Sequence, residues 1–151
     1  MAGWVSITIE TLYEAKVAAL VDACSESALA AGQADRAAGL IQGVVDKVRR
    51  KVASCANNRV DDDATKIPAG LRDDAVALII AALKGSVEME LTEDERTNLS
   101  RIERDLNRIA NCDDVVDQPD TPVEAEVERG GSIAVVTKTT RVATREKLAG
   151  L

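Results

Sequence analysis

The three cysteines are the side chains with the most distinctive chemistry, and their spacing limits what they can do. Cys24, Cys55 and Cys112 are widely separated, odd in number and in no Cys-x-x-Cys pattern. This spacing predicts neither a disulfide framework nor a zinc site. A thiol nucleophile would need an activating base or a helix N-terminus beside it, and neither is evident. We therefore expect buried packing cysteines in a reducing cytoplasm, and a thiol-dependent enzyme is the weakest alternative.

Other catalytic and metal-binding chemistry lacks its usual residues. The chain has no histidine, which removes the commonest general base, triad partner and nitrogen metal ligand. Carboxylates are abundant, but no spacing singles out an acid and a base, and no glycine-rich phosphate loop is present. Asp61-Asp62-Asp63 lacks the alternating ligands of a calcium loop and is predicted to be a solvated charge run. We expect a non-enzyme without catalytic, metal or cofactor-binding residues.

The charge balance of the chain bears on its partners. The formal net charge of −7 argues against wrapping a nucleic-acid backbone, because phosphate binding depends on Lys and Arg. The segment from Lys47 to Lys51 is the strongest positive patch. Val48 is predicted to face inward, which leaves a solvated cationic flank. Within that flank we keep Lys47, Arg50 and Lys51 as candidate partner-binding residues.

Export and membrane signals are not evident in the sequence. The N-terminus lacks a basic segment followed by an apolar run, and no apolar stretch approaches the length of a membrane span. We expect neither a signal peptide nor a membrane partner.

Apolar residues at three- and four-residue spacing predict four helices. The first follows Thr8, a suitable N-cap, and runs from about residue 9 to 24. The second covers roughly residues 33–55. Gly39 and Gly43 lie four residues apart in it, a spacing that favours close packing against another helix over a hinge. Its apolar stripe consists of Ile41, Val44, Val45, Val48 and Val52.

The third predicted helix is apolar on nearly all sides. Pro68 suits its first turn, where a missing N–H group is not needed. The segment from Leu71 to Leu83 follows, and such an apolar helix is normally central in a fold. Gly85 is expected to end it.

The fourth predicted helix has the clearest local signal. Thr92 followed by Glu95 forms a capping-box pattern, and Asn111 can end the helix. Its apolar residues are Leu99, Ile102, Leu106 and Ile109. The predicted fold is therefore mainly α, with a four-helix domain in residues 1–112.

Composition changes beyond Cys112, and residues 113–151 are predicted to be an extended C-terminal arm. Residues 113–122 have the composition of a linker. The β-prone run 132–140 could pair as a hairpin with a weaker alternating run, residues 123–127. Because a two-stranded ribbon is marginal by itself, this segment needs a partner strand. Its candidate partner-binding residues are Ile133, Val135, Val136, Thr137 and Lys138.

The order of the helix-boundary motifs resembles a known family. Thr8-Ile-Glu-Thr-Leu12, a long Val-rich helix, Ile67-Pro-Ala-Gly-Leu71, Leu91-Thr-Glu-Asp-Glu-Arg96 and Arg108-Ile-Ala110 follow one another along the chain. This order resembles the head-to-tail connector, or adaptor, proteins of tailed bacteriophages and prophages. The similarity covers about residues 7 to 112.

The resemblance implies a structural virion protein of the phage neck, assembled in the cytoplasm of the infected bacterium. Members of that family are small helical domains that form a ring, commonly of twelve copies, beneath the portal protein. They often grip the portal with an extended C-terminal segment and also touch a tail or stopper protein. DNA would pass through the ring channel without specific binding. The family has no catalytic residues to carry over, and the arm is not matched residue by residue.

A second interpretation remains open. The chain would then be a small helical regulatory or scaffold protein that docks one partner through the C-terminal arm. A ring needs a heterologous interface, in which each subunit presents different patches to its two neighbours. A protein that stays monomeric or dimeric, even with a portal protein present, would favour the regulator.

Overall fold

The computed structural model of the chain describes residues 3–14, 17–26 and 36–120. The predicted mainly α fold is confirmed, and a small antiparallel sheet accompanies the helices. The elements are β1 (Trp4–Ser6), α1 (Ile9–Glu14), α2 (Ala18–Glu26), α3 (Arg36–Ala53), β2 (Lys66–Pro68), α4 (Arg72–Ser86) and α5 (Glu93–Ala110), with a 3-10 turn at Ala69–Leu71. The predicted hairpin of the C-terminal arm, including Ile133 to Lys138, lies outside the described residues.

The first predicted helix is two helices. It begins after Thr8 as expected, but α1 ends at Glu14 and α2 starts at Ala18. Leu12, Val21 and Cys24 are all buried. Because the apolar residues keep a helical spacing across the break, the sequence pattern did not reveal it.

Helix α3 supplies the centre of the core. Its predicted stripe is confirmed, because Ile41, Val44, Val45, Val48 and Val52 are all buried. Helices α3 and α5 run parallel: the contacts Lys47–Glu103 and Lys51–Asn107 both join residues 56 positions apart.

The two glycines of α3 do not serve close packing. Gly39 and Gly43 are both exposed. A Cβ added at either position would meet no atom of the described residues within 4 Å. The prediction of a helix–helix contact at these glycines was therefore wrong, because they lie on the outer face of α3.

The short sheet joins the start of the chain to the segment before α4. Strands β1 and β2 are antiparallel, with Trp4 opposite Pro68 and Ser6 opposite Lys66. Pro68 ends β2 and precedes the 3-10 turn, so its predicted place in the first turn of a helix was wrong. Three-residue strands carry too little alternation to be recognised from sequence.

Helix α4 is covered on one face only. Ala75, Leu78, Ile79 and Leu83 are buried, as the prediction of a central helix requires. Val76 and Ile80, on the other apolar side, are only half-buried. The helix is thus central with respect to α2 and α3 but leaves an apolar side partly open.

Helices α4 and α5 end in the same way. After α4, the Met89 N–H donates to the Lys84 carbonyl oxygen at 2.9 Å, and Glu88 has a positive φ of 55°. After α5, the Asp113 N–H donates to the Arg108 carbonyl oxygen at 2.8 Å, and Cys112 has a positive φ of 64°. Both are Schellman endings in which a residue other than glycine takes the left-handed position.

Three predicted helix-end signals have different outcomes. The capping box of α5 is confirmed: the Glu95 N–H donates to Thr92 Oγ1 at 3.3 Å, and the Thr92 N–H donates to Glu95 Oε2 at 2.8 Å. Gly85 does not end α4, because the helix continues through Ser86. Asn111 is the C-cap of α5, as expected.

Candidate interaction surfaces

Lys47, Arg50 and Lys51, the predicted partner-binding cations of α3, lie together on one surface. With Ser54 they line a shallow cationic furrow of about 300 Å³. Lys47 forms an ion pair with Glu103, and Lys51 Nζ donates to Asn107 Oδ1 at 2.6 Å. Arg50 is exposed. Two of the three cations therefore also stabilise the packing of α3 on α5, a role that the sequence analysis did not assign to them.

Arg49, from the same basic segment, has an internal role. Its guanidinium donates to the carbonyl oxygens of Asp61, Asp63 and Lys66 at 2.6, 2.8 and 2.7 Å. The guanidinium carbon also lies 5.6 Å from the centroid of the Trp4 ring, close enough for a cation–π contact. Arg49 therefore ties α3 to the loop before β2 and to β1.

The triple-aspartate loop is partly built into the fold. Asp61 is 4% exposed and accepts a hydrogen bond from the Asp63 N–H at 2.9 Å. The Thr65 N–H and hydroxyl donate to Asp63, and these bonds hold the pKa of Asp63 below its usual value. The prediction of a solvated charge run was thus wrong for Asp61. Among the described residues, no cluster of His, Cys, Asp or Glu is arranged to hold a metal ion.

An apolar groove of about 200 Å³ lies between α4 and α5. Beside it, residues 87–95 form an acidic connection that contains no Lys or Arg. Lys84 Nζ donates to Glu95 Oε1 at 2.5 Å, and this hydrogen bond holds the pKa of Glu95 below its usual value. Apolar side chains at a surface groove are available for contact with another protein. The groove is lined by Ala77, Ile80, Ala81, Leu91, Glu95, Asn98 and Leu99.

Residues 113–120, here called the strap, pack against the helical domain. Val116 is 7% exposed, and the Trp4 indole N–H donates to the Asp117 carbonyl oxygen at 2.8 Å. The Gly3 N–H donates to Asp120 Oδ2 at 2.9 Å. This segment was predicted to be part of an extended linker beginning at residue 113. Because these residues contact Gly3 and Trp4, the helical domain extends to residue 120 at least.

Two of the three cysteines form a disulfide bond. Cys55 and Cys112 are joined, with their Cα atoms 5.2 Å apart. Cys24 is buried, and its Sγ lies 3.0 Å from Ser86 Oγ. The expectation of buried cysteines is confirmed for Cys24 and Cys55, but it was wrong for Cys112, which is exposed, and the expectation of no disulfide was wrong for the bonded pair. Spacing alone did not reveal the pair because the two cysteines are 57 residues apart.

Comparisons with known proteins add no identification. No protein-family model, no curated protein and no solved structure matches the chain. Within residues 3–14, 17–26 and 36–120, no helix combines the length and the apolar character needed to cross a membrane.

Proposed function

We propose that this protein is a head-to-tail adaptor of a tailed bacteriophage, which assembles as a ring between the portal and a tail or stopper protein. The order of helix-boundary motifs between residues 8 and 110 supports the family. One structural observation supports assembly. The α4–α5 groove exposes apolar side chains on a helix that is apolar on both sides.

The occupant of the groove, in this proposal, is the next copy in the ring. Burial of apolar area is favourable by about 25 cal/mol per Å², so covering Ile80 and Leu91 supplies part of the association free energy. The acidic connection of one copy meets the cationic furrow of the next. Such a contact is heterologous, and repetition with a suitable rotation closes a ring. Complementary charge also favours one docking orientation over others.

The channel and the C-terminal arm complete the proposed assembly. A chain with a net charge of −7 repels the DNA that passes through its ring, which keeps the channel free of specific binding. The portal is gripped by strand addition, in which an extended segment joins the sheet of a partner. That segment contains Ile133, Val135, Val136, Thr137 and Lys138, all outside the described residues.

Assembly through the groove can be tested by native mass spectrometry and electron microscopy of the full-length chain, alone and mixed with the portal protein. We expect rings with the wild-type protein. Ile80→Arg places a charge in the groove and should prevent rings while the circular dichroism spectrum stays helical. Thr97→Arg is the control, because Thr97 is an exposed residue of α5 outside the groove. A wild-type protein that never forms rings, even with portal, would favour a regulatory or scaffold protein instead.

The charge contact has its own test. Arg50→Glu alone and Glu90→Arg alone should each weaken assembly, because each places like charges opposite one another. The double variant restores opposite charges and should recover most of the wild-type assembly. If the two single effects simply add in the double variant, the furrow and the acidic connection do not meet.

The arm is tested separately with Val135→Pro. Proline removes a backbone donor and fixes φ, so it disrupts a strand that is paired at that N–H. The variant should keep the melting temperature of the helical domain but lose co-sedimentation with portal. Normal joining of heads to tails by this variant would exclude strand addition at Val135.

A further inference from the structure

We propose that Cys55 and Cys112 form a thiol–disulfide exchange site for low-molecular-weight thiols and disulfides, and that its redox state controls how firmly the strap is held. The proposal concerns the isolated chain and does not depend on ring assembly. It assigns a chemical role to a pair of residues that the proposed adaptor function leaves unused.

The position of the pair follows from the parallel arrangement of α3 and α5. Cys55 comes two residues after the end of α3, and Cys112 comes two residues after the end of α5. Parallel helices of equal length bring these ends to the same side of the domain. The Cα separation of 5.2 Å lies within the range that a disulfide requires. The bond can therefore form and break without a large backbone movement.

The two bonded cysteines differ in exposure. Cys55 is 2% exposed, whereas Cys112 is an exposed residue. Attack by an external thiolate on a disulfide sulfur depends on access to that sulfur. Cys112 is thus the sulfur that reagents reach first, and Cys55 is the leaving group.

The exchange balances with two equivalents of a small thiol. The first thiolate forms a sulfur–sulfur bond with Cys112, the Cys55–Cys112 bond breaks, and Cys55 leaves as a thiolate that takes a proton from water. A second thiolate attacks the reagent sulfur of this mixed disulfide, and Cys112 leaves as a thiolate that also takes a proton from water. The protein disulfide is reduced to two thiols, and the two small thiols are oxidised to one small disulfide. Oxidation by a small disulfide is the reverse sequence.

The consequence for the strap follows from its attachment at both ends. Cys112 immediately precedes the strap, and its positive φ is uncommon for a residue other than glycine. The bond to Cys55 holds this residue in place. At the other end, Trp4 and Gly3 bind the strap through Asp117 and Asp120. Reduction removes the covalent attachment, so the strap then depends on hydrogen bonds and on burial of Val116.

The redox state would differ between compartments. A reducing cytoplasm keeps such cysteine pairs as thiols, whereas oxidising surroundings allow the disulfide. If the chain is assembled inside a bacterium and later released, as the proposed function holds, the strap would be loosely held during assembly and locked afterwards. This timing alone rests on the proposed function.

The chemical step is tested on the full-length protein equilibrated with reduced and oxidised glutathione, then alkylated and mapped by mass spectrometry. We expect Cys55 and Cys112 to convert together, with any glutathione adduct on Cys112. In the Cys55→Ser variant, Cys112 should accumulate the adduct. The Cys24→Ser variant should behave as the wild type, because Cys24 takes no part in the pair. Resistance of the pair to glutathione at every ratio would overturn the proposal, as would an adduct that forms first on Cys55.

The structural consequence is tested by hydrogen exchange of the oxidised and reduced protein. Peptides covering residues 113–120 should exchange about tenfold faster or more after reduction, while α3 and α4 keep their protection. Cys112→Ser should show the faster exchange in both buffers. Equal exchange of the strap in the two states would refute control by the bond. Loss of the helical circular dichroism signal on reduction would also refute it, since the disulfide would then be required for the fold of the whole domain.

Discussion

Gly3 and Gln118 are in backbone contact: a Cβ added at Gly3 would lie 2.4 Å from the Gln118 carbonyl oxygen. No side chain fits at that distance, so the start of β1 and the strap can approach only because residue 3 is glycine. The same approach brings the Gly3 N–H within 2.9 Å of Asp120 Oδ2.

Gly3→Ala should therefore weaken the docking of the strap. The added methyl group must displace backbone, and overpacking of this kind costs about 1–3 kcal/mol. Urea denaturation measures the loss, and Trp4 fluorescence reports on the strap because the indole binds Asp117. Gly70→Ala is a matched control, since its Cβ would meet its nearest atom, Asp117 Oδ2, at 3.9 Å. Equal effects of the two substitutions would contradict the close approach at Gly3.

Glu88→Gly should stabilise the domain. Glu88 takes a left-handed conformation at the end of α4, which costs a side-chain-bearing residue about 1–2 kcal/mol and costs glycine little. We expect a gain of about 1 kcal/mol in the free energy of unfolding, after allowance for the greater freedom of glycine in the unfolded chain. Glu90→Gly, at a nearby position without a positive φ, should give no gain. A loss of stability in Glu88→Gly would show that the Glu88 side chain matters more than its backbone.

Leu83→Ala and Ile80→Ala should separate the two faces of α4. Leu83 is fully buried, so its truncation should cost about 2–5 kcal/mol through lost burial and the cavity left behind. Ile80 faces the groove and is half-buried, so the same truncation should cost clearly less in a monomer. Urea melts at low protein concentration provide the comparison. A larger loss of stability in Ile80→Ala than in Leu83→Ala would contradict the burial of the Leu83 face of α4.

Glu95→Gln should destabilise the domain in a pH-dependent way. The hydrogen bond from Lys84 lowers the pKa of Glu95 from its ordinary value of 4.5, so the folded state favours the carboxylate. The stabilisation is present above pH 4.5 and is lost as the pH falls through the lowered pKa. Glutamine keeps an acceptor for the capping box but not the charge.

The stability difference between wild type and Glu95→Gln should therefore be largest near neutral pH and shrink in acid. Thermal melts across the acidic range measure it. Glu93→Gln is the control, because the Glu93 side chain is 85% exposed and its contact with Arg96 spans 3.8 Å. A constant difference between wild type and Glu95→Gln at every pH would contradict the role of the carboxylate.

Local sequence signals located most of the helical framework. The capping box at Thr92 and Glu95 depends on residues three positions apart, so the sequence alone predicts it in atomic detail. The buried stripes of α3 and α5 follow from one repeated spacing along each helix. The same spacing put Lys47, Arg50 and Lys51 outside the stripe of α3, where the structure leaves them half-buried or exposed.

The spacing of residues along a helix did not determine which of its predicted packing faces are buried against other helices. Gly39 and Gly43 fit a packing motif, yet they face outward. Val76 and Ile80 fit a fully central helix, yet both are only half-buried, and Ile80 lines an open groove. The sequence of one helix does not say which other helices pack against it. The packing of α3, α4 and α5 therefore decided which face of each helix is buried.

The sequence by itself determined the helical class, the core stripe of α3 and the start of α5, because these depend on residues within one or two turns of each other. Only the tertiary structure decided the sheet between Trp4 and Pro68, the contacts of Arg49, the disulfide of Cys55 with Cys112 and the docking of the strap on Gly3. Each of these joins segments brought together by the packing of the helices. The residues in these contacts are far apart in the sequence, so no local pattern predicts them. They come together because the helices bury a shared core.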